Sequence, residues 1–207
     1  MKCKALKEAE PILAEQWGAE KTAVIMKDAH RRYEELCKEN ASDSKALKKH
    51  TEENMFPCMS IYEALQKNGI AKEKALEFMD MCWSKKAQSG AKSMKKMLKP
   101  FGLYKLYPRM FQWVAKNQFG EKAGFEAVFY DCGKHRCKFD MKKCVFCEIC
   151  EKYGCPELTK CFCHVDDVNN GGLHPDLIWN RTKCMGEGQD LCDFDIYVTG
   201  YDNEIRK

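Results

Sequence analysis

The chain has 207 residues, of which 44% are hydrophobic and 32% charged, and its formal net charge at pH 7 is +4. This composition can bury the core of one globular domain, or of a domain with an accessory layer, and argues against intrinsic disorder. The N-terminal residues lack the apolar run of a secretory signal, and no stretch approaches the roughly 20 apolar residues that a membrane-spanning helix needs. We therefore expect a cytoplasmic protein with no transmembrane segment.

The first half of the chain is predicted to be helical. Apolar residues at helical spacing predict one helix that ends at Gly18 and a second helix over about 20–39. A Ser-Asp-Ser cluster supplies an N-cap for a third helix over about 45–67, and Asn68-Gly69 predicts its end. A fourth helix is expected over about 72–99.

The third predicted helix contains a proline. Pro57 removes one backbone donor and clashes with the preceding turn, so we expect a kink near 53–57. His50 and Asn54 lie four residues apart just before it, on one predicted helix face. They could bind substrate in a cavity opened by the kink, or His50 could be one more polar residue of a solvated run.

Basic residues concentrate in the middle of the chain. Between Met81 and Gly120 there are nine lysines and arginines and no acidic residue. Such a segment could attract nucleic acid, anionic lipid or a carboxylate substrate, or form a solvated helix face. Over 103–119 aromatic residues interleave with the basic ones, which is typical of a stacking surface, an interfacial helix, a lid or a buried stripe. Since no nucleic-acid fold is recognisable, we expect no nucleic-acid partner and interpret this helix as a cover over the substrate cavity.

After Gly120 the pattern changes to short strands and turns. Strand-like content over 124–131 and 136–141, joined through Gly133, predicts a hairpin. Two short helices and a glycine turn follow, and two last strands are expected over about 177–184 and 191–198. The predicted fold is α+β, with a helical region (1–118) packed on a cysteine-rich region with an antiparallel sheet (119–207), together one compact unit.

The chain has 14 cysteines, and ten of them lie between Cys132 and Cys192. Cytosolic thiols are kept reduced, so these residues are interpreted as free thiols, metal ligands or a nucleophile. With only five histidines, a metal site would depend on sulfur or carboxylate ligands.

Two spacings suggest metal binding. The run Cys144-x2-Cys147-x2-Cys150-x4-Cys155 nearly reproduces a bacterial ferredoxin motif, with the last gap one residue too long, so an iron–sulfur cluster is one candidate cofactor. Zinc is the other, because a tetrahedral site prefers four thiolate or imidazole ligands. The candidate zinc ligands are Cys155, Cys163, Cys184 and Cys192.

A further constellation suggests hydrolytic chemistry. A thiol close to a histidine can be activated as a nucleophile, and a carboxylate beside a histidine can activate water. Arg181 offers a forked donor to a substrate carboxylate, or could instead pair with Asp190 or Asp193 across the sheet. His174-Pro175 could equally be a simple turn. The candidate catalytic residues are Cys163, Asp166, His174 and Cys192, with Cys163 the favoured nucleophile; the candidate substrate-binding residues are Arg181, His50, Asn54 and Asp190.

The sequence resembles a known family in several segments. They are 144–150, 153–158, Phe162-Cys163 with Asp166-Asp167, His174-Pro175, 179–182 and 186–194, with 18–21, His50, Asn54, Pro57 and 120–125 upstream. These segments are similar to the L-2-amino-thiazoline-4-carboxylic acid hydrolase family. The end of the chain, 188–194, is also similar to 4-vinyl reductase-like ligand-binding domains.

The resemblance implies hydrolytic opening of an aminothiazoline ring, which yields S-carbamoyl cysteine on the route to cysteine. The family positions that match are Cys150, Cys155, Cys163, Asp166, His174, Arg181, Asp190 and Cys192. Two positions depart from the family pattern, since Cys147 replaces an expected aromatic residue and Cys184 an expected threonine. Replacing Cys147 by Phe or Cys184 by Thr is therefore expected to be tolerated.

The function that the sequence favours is a hydrolase acting on a carbon–nitrogen bond of a small, carboxylate-bearing substrate. The first alternative is a non-catalytic small-molecule sensor with a cysteine-ligated zinc. The second alternative is an iron–sulfur redox protein. The oligomeric state is not specified by the sequence.

Overall fold

A computed structural model describes residues 3–201 of the chain, and this part is mostly helical with a C-terminal four-stranded sheet. The predicted α+β class, with N-terminal helices and a C-terminal antiparallel sheet, is confirmed. The chain divides into two compact units, with the boundary between Trp83 and Ser84 inside a long helix. The predicted division at 118/119 marks the change from helix to strand and stays a prediction about folding units. No helix within residues 3–201 combines the length and apolarity needed to cross a membrane.

The first unit consists of helices. They are α1 (Lys4–Trp17), α2 (Ala19–Glu39), α3 (Lys45–His50), a π-helical segment (Thr51–Met55), α4 (Phe56–Lys67) and the start of α5 (Lys72–Leu98). Gly18, with φ of 79°, separates α1 from α2, and the Ser44 side chain accepts the backbone N–H of Leu47 at 3.0 Å to cap α3. The predicted glycine cap at Gly69 is present, with φ of 78° and a hydrogen bond from Ile70 N to Leu65 O.

The core of this unit lies between α1, α2 and α4. Leu6, Leu13, Ile25, Leu36 and Leu65 are fully buried there. Arg32 of α2 donates to Glu63 of α4 at 2.6 Å, which fixes the two helices along their shared edge.

The predicted single helix over 45–67 is interrupted by the π-helical segment directly before Pro57. A π-helical turn contains one extra residue, and it changes which side chains share a face. His50 is buried whereas Asn54 is exposed, with its amide donating to Lys49 O at 3.4 Å. The expected common face of His50 and Asn54 is therefore wrong.

The second unit continues α5 and adds the sheet with its covering helices. After α5 come a 3-10 segment (Pro100–Leu106), α6 (Tyr107–Gln118), a 3-10 turn (Glu121–Ala123), β1 (Glu126–Phe129), β2 (Arg136–Lys143), α7 (Val145–Lys152), a 3-10 turn (Pro156–Leu158), α8 (Thr159–Asn170), β3 (Leu177–Arg181), a 3-10 turn (Met185–Glu187) and β4 (Cys192–Val198). The predicted hairpin is formed by β1 and β2. The strand expected over 177–184 ends earlier, at Arg181.

All strand pairs of the sheet are antiparallel, in the order β1-β2-β4-β3. Alternate residues of β2 and β4 are buried, as expected for a sheet with one face on the core. Phe139 and Phe194 face each other across these strands and stack with ring centroids 4.6 Å apart. From α6, Phe111 reaches the same face and meets the edge of Trp179 at 5.5 Å.

The opposite face of the sheet carries charged side chains. There Arg136 of β2 forms two hydrogen bonds with Asp195 of β4, at 2.9 and 2.5 Å. An open polar cavity of about 300 Å³ lies on this face, with Lys138, Asp140, Asn180 and Asp193 among its lining residues. The cysteines considered below lie elsewhere, toward the buried face.

Candidate active site

Three thiols meet where α8 approaches the start of β4. Cys163 comes from α8, Cys184 directly precedes the 3-10 turn Met185–Glu187, and Cys192 is the first residue of β4. The Cys184 thiol is hydrogen bonded to both Cys163 and Cys192. We call Cys163, Cys184 and Cys192 the thiol trio.

The central position of Cys184 determines where a negative charge is best held. Hydrogen bonds from Cys163 and then Cys192 hold the pKa of Cys184 well below its ordinary value, with further help from the Arg181 charge and the Gly186 N–H. The same hydrogen bonds, followed by burial, raise the pKa of Cys163 and of Cys192. This arrangement favours Cys184 as the thiolate of the trio, with Cys163 and Cys192 as S–H donors. Cys192 Sγ also accepts the backbone N–H of Met185 at 3.2 Å.

A second pair of thiols lies next to the trio. Cys144 precedes α7 and is hydrogen bonded to Cys147 in its first turn, which raises the pKa of Cys144 and lowers that of Cys147. The charge of Cys184 acts on Cys147, so the pair and the trio form one group of five cysteines. Both residues that depart from the family pattern, Cys147 and Cys184, belong to this group.

A glycine permits α8 to lie close to the 3-10 turn Met185–Glu187, which brings Cys163 next to Cys184. A Cβ placed on Gly186 would lie 2.8 Å from Cys163 Sγ and 3.1 Å from Thr159 Cγ2. Any larger residue at this position would displace one of these side chains. The sequence pattern indicated Gly186 only as part of a glycine-containing loop between two strands, not as a packing requirement.

Arg181 is buried beside the trio. Its side chain is 8% exposed, and Nη2 donates to Asp167 at 2.5 Å and to the backbone oxygen of Cys163 at 3.2 Å. Trp179 Nε1 donates to the other oxygen of Asp167 at 2.9 Å. The face of the guanidinium lies 5.4 Å from the centre of the Phe194 ring. Arg181 is thus held in place by Asp167, and not by the predicted alternatives Asp190 or Asp193.

Asp166, the neighbour of Asp167, titrates near neutrality. Burial raises the pKa of Asp166 to about 7, and the nearby Arg181 charge opposes that rise. The charges of Asp167 and Cys184 add to it. A carboxyl with such a pKa can both donate and accept a proton at physiological pH.

The family model described as L-2-amino-thiazoline-4-carboxylic acid hydrolase matches residues 48–196. The chain belongs to this family. No curated protein matches it. One solved structure, described as probing the function of heme distortion in the H-NOX family, aligns with 100% of this chain and 98% of its own at 10% identity, with a TM-score of 0.31. That likeness is too low to support any inference about fold or function.

The structure brings together most of the predicted catalytic residues of this family member. Cys163 and Cys192 belong to the trio, and Asp166 feels the charges of Arg181 and Cys184. His174 lies in another environment, stacked on Tyr104 at 3.6 Å, and its Nδ1 accepts the backbone N–H of Asp176 at 3.1 Å. These contacts are those of a local turn, which is the alternative interpretation of His174-Pro175 given in the sequence analysis.

The predicted substrate-binding residues are dispersed. Asp190 lies in the loop between the trio's Cys184 and Cys192, exposed and 3.3 Å from Lys183 Nζ. His50 and Asn54 belong to the first unit, and their predicted binding role remains a prediction. Arg181 is the member of this set that lies beside the thiols.

The predicted zinc ligands are only partly grouped. Cys163, Cys184 and Cys192 adjoin one another, and hydrogen bonds among them have the largest effect on their pKa values, with smaller effects from Arg181 and Cys144. Cys155 is not among the main groups that act on them. Across residues 3–201 no set of three or more His, Cys, Asp or Glu side chains is arranged to hold a metal ion.

Asp167 and Cys144 were not among the candidate catalytic, substrate-binding or zinc-binding residues, although Cys144 belongs to the candidate iron–sulfur run and Asp167 is the neighbour of candidate Asp166. Asp167 anchors Arg181, and Cys144 extends the thiol group. The sequence contains the adjacent pair Asp166-Asp167, but neighbouring side chains on a helix point about 100° apart. The sequence alone therefore does not predict which of the two carboxylates faces Arg181. The spacing Cys144-x2-Cys147 did indicate that these two thiols would lie together.

Proposed function

We propose that this protein is a thiol-dependent hydrolase that opens the carbon–nitrogen bond of a small, carboxylate-bearing aminothiazoline. In the overall reaction, one water is added to the ring carbon that lies between the sulfur and the two nitrogens. The bond from that carbon to the ring nitrogen breaks, and the product is S-carbamoyl cysteine. Membership of the hydrolase family supports this reaction class.

The observation that carries the proposal is the pairing of Cys184 with two S–H donors. A thiolate is the attacking form of cysteine, and the fixed donors Cys163 and Cys192 keep Cys184 in that form. In the proposed first step, Cys184 Sγ bonds to the ring carbon and the ring nitrogen leaves as an amine. In the second step, water adds to the same carbon, the carbon–sulfur bond to Cys184 breaks, and the thiolate is restored.

Proton transfer is assigned to Asp166. The leaving ring nitrogen needs protons that the attacking water later returns, and a carboxyl with a pKa of about 7 can serve both steps. Arg181 is proposed to hold the substrate carboxylate through the part of its guanidinium not engaged by Asp167. This assignment replaces Cys163 by Cys184 as the proposed nucleophile and gives Cys163 the role of a donor. It also reverses the expectation that Cys184→Thr is tolerated, because threonine would remove the attacking sulfur.

The proposal is tested with protein purified without oxygen and incubated with 2-aminothiazoline-4-carboxylate. We expect S-carbamoyl cysteine to form, and the rate to fall by at least about a hundredfold in Cys184→Ser, since hydroxyl is a much weaker nucleophile at neutral pH. Cys132→Ser is the matched control, because Cys132 is a partly buried free thiol that belongs to neither the trio nor the pair. It should retain the wild-type rate.

Metal analysis of the same preparation separates the alternatives. The hydrolase proposal predicts a colourless protein whose turnover does not change after chelation. Stoichiometric zinc that is lost in Cys184→Thr would instead favour the sensor, and a brown protein would favour the iron–sulfur alternative.

A further inference from the structure

The segment that follows α5 exposes apolar side chains together with basic ones. We define the basic-aromatic surface by the exposed members of 97–116. They are Met97, Lys99, Pro100, Phe101, Leu103, Lys105, Leu106, Arg109, Met110, Trp113 and Lys116. Phe101 is 101% exposed and Trp113 69% exposed, the two largest values among the exposed large hydrophobic residues of 3–201. Scattered exposed apolar residues are ordinary, but a contiguous set of this kind usually marks a binding surface.

Helix α6 has two apolar faces. One face is buried and carries Tyr107, Pro108 and Ala115. Leu106, Met110 and Trp113 lie four and three residues apart, so they form a second stripe that stays exposed. Arg109 and Lys116, seven residues apart, run along one side of that stripe. A helix needs only one apolar face to join its own core, so the second stripe is available to a partner.

The segment is held firmly from behind. Tyr104 stacks on His174, the backbone oxygen of Lys105 accepts a hydrogen bond from His135 Nδ1 at 2.9 Å, and the Tyr107 hydroxyl is hydrogen bonded to Asn170. These contacts fix the backbone while the residues between them point outward. The surface is therefore a built feature of the second unit rather than a frayed end.

Phe101 is displayed at a conformational cost. Its φ is 53° and its ψ 21°, in the left-handed region that side chains with a Cβ rarely adopt, and Gly102 follows with φ of 69°. Because the ring is fully exposed, no packing within residues 3–201 explains a phenylalanine at this strained position. Residues held in such conformations tend to occur at binding and functional sites.

The charges of this surface are not neutralised internally. Over residues 81–120 there are nine lysines and arginines and no acidic residue. Within the described residues, Lys99, Lys105 and Arg109 make no side-chain ion pair. A partner that complements them must be anionic.

We propose that the basic-aromatic surface docks the protein on an anionic phospholipid bilayer. Aromatic and aliphatic side chains enter the boundary between headgroups and acyl chains, and the flanking cations bind the acidic headgroups. The aliphatic members Leu103, Leu106 and Met110 fit hydrocarbon, whereas single-stranded nucleic acid would select planar groups for stacking. A second copy is disfavoured, because two-fold contact would bring equal positive charges together. This inference is independent of the proposed hydrolase function.

The test is co-sedimentation of the full chain with vesicles of phosphatidylcholine alone or mixed with phosphatidylserine. We expect binding to the mixed vesicles at physiological ionic strength and its loss at high salt. Phe101→Asn and Trp113→Gln should each weaken binding several-fold, and Lys105→Gln should weaken it by roughly fivefold. Val24→Gln, which replaces an apolar residue of α2 that is 52% exposed, is the matched control and should bind as the wild type.

Phe101→Asn carries an internal control for folding. Asparagine tolerates the left-handed conformation, so this variant should melt at or above the wild-type temperature while binding vesicles less well. Insertion of Trp113 into the bilayer is measured by quenching of tryptophan fluorescence with brominated lipid. The quenching should disappear in Trp113→Phe, although this variant still binds the vesicles.

Three results would overturn the proposal. They are absence of binding to anionic vesicles, equal loss of binding in Val24→Gln, and a tight association with single-stranded RNA, or with a second copy, that Phe101→Asn abolishes while vesicle binding is unchanged.

Discussion

The Asp166 carboxyl makes the clearest link between one residue and the pH dependence of the molecule. Burial raises the pKa of Asp166 from 3.8 to about 7 in the folded state. The folded protein therefore binds this proton more tightly than the unfolded chain does. The stabilisation is complete below the unfolded value and is lost as pH rises toward 7.

Asp166→Asn mimics the protonated form and should remove that loss. We expect the variant to gain stability relative to the wild type as pH rises from about 4 to 7, by on the order of 1–3 kcal/mol after allowance for partial exposure. Asp193→Asn is the control of opposite sign. Burial acts to raise the pKa of Asp193, but hydrogen bonds from Thr182 and Lys183 outweigh it and lower that pKa. Removing the Asp193 charge should therefore destabilise the protein near neutrality. Urea unfolding at several pH values measures both, and parallel profiles would contradict the assignment.

Gly186 tests whether the thiol trio depends on close packing. Gly186→Ala should push Cys163 away from Cys184, raise the pKa of Cys184 and cost about 1–3 kcal/mol of stability, the usual range for overpacking. Gly120→Ala is the matched control, since a Cβ there meets nothing within 4 Å. The measurement is the pH dependence of iodoacetamide labelling at Cys184. A Gly186→Ala variant that titrates and melts like Gly120→Ala would show that the trio tolerates the extra methyl group.

Arg181 has both a structural and a binding role in this account. Lysine cannot donate to Asp167 and a substrate carboxylate in parallel, so Arg181→Lys should weaken substrate binding by about 1.5–3 kcal/mol. It should also lower the melting temperature, because Asp167 and the Cys163 backbone oxygen lose their donor. Isothermal titration and thermal unfolding separate the two effects. Wild-type affinity with only a lower melting temperature would make Arg181 purely structural.

At the scale of elements, the ion pair between β2 and β4 should contribute more than ion pairs at the surface. Arg136 and Asp195 are 11% and 14% exposed, so Arg136→Gln leaves a partly buried carboxylate without its partner and should destabilise by about 3 kcal/mol. Lys143 and Glu148 form a matched exposed pair, 49% and 52% exposed, and Lys143→Gln should change stability by less than about 1 kcal/mol. If denaturant titration gives both variants the same loss in the free energy of unfolding, burial of the Arg136–Asp195 pair does not increase its contribution to stability.

The elements were predicted well where local signals act. Gly18, Ser44 and Gly69 end or begin helices through backbone geometry and capping, which the sequence states directly. The π-helical segment was not predicted, since Pro57 signals only that the regular pattern is disturbed. Its consequence, the separation of His50 from Asn54, depends on one extra residue in a turn.

At the scale of the whole molecule, the grouping of the thiols could be predicted only in part. The pair Cys144 and Cys147 follows from a local spacing. The trio requires α8, the turn after β3 and the start of β4 to converge, and that depends on strand pairing over long sequence separations. Likewise, Cys184 differs from its neighbours because it lies between two donors, a property of three-dimensional position that its sequence context does not carry.

Trapping of the covalent intermediate would show which sulfur attacks the ring carbon. Protein mixed with 2-aminothiazoline-4-carboxylate is quenched in acid during turnover, digested and analysed by peptide mass spectrometry. We expect a substrate-derived mass on the peptide that contains Cys184, absent from Cys184→Ser and from unreacted protein. The same mass on Cys163 or Cys192, or product formed at the wild-type rate by Cys184→Ser, would contradict it.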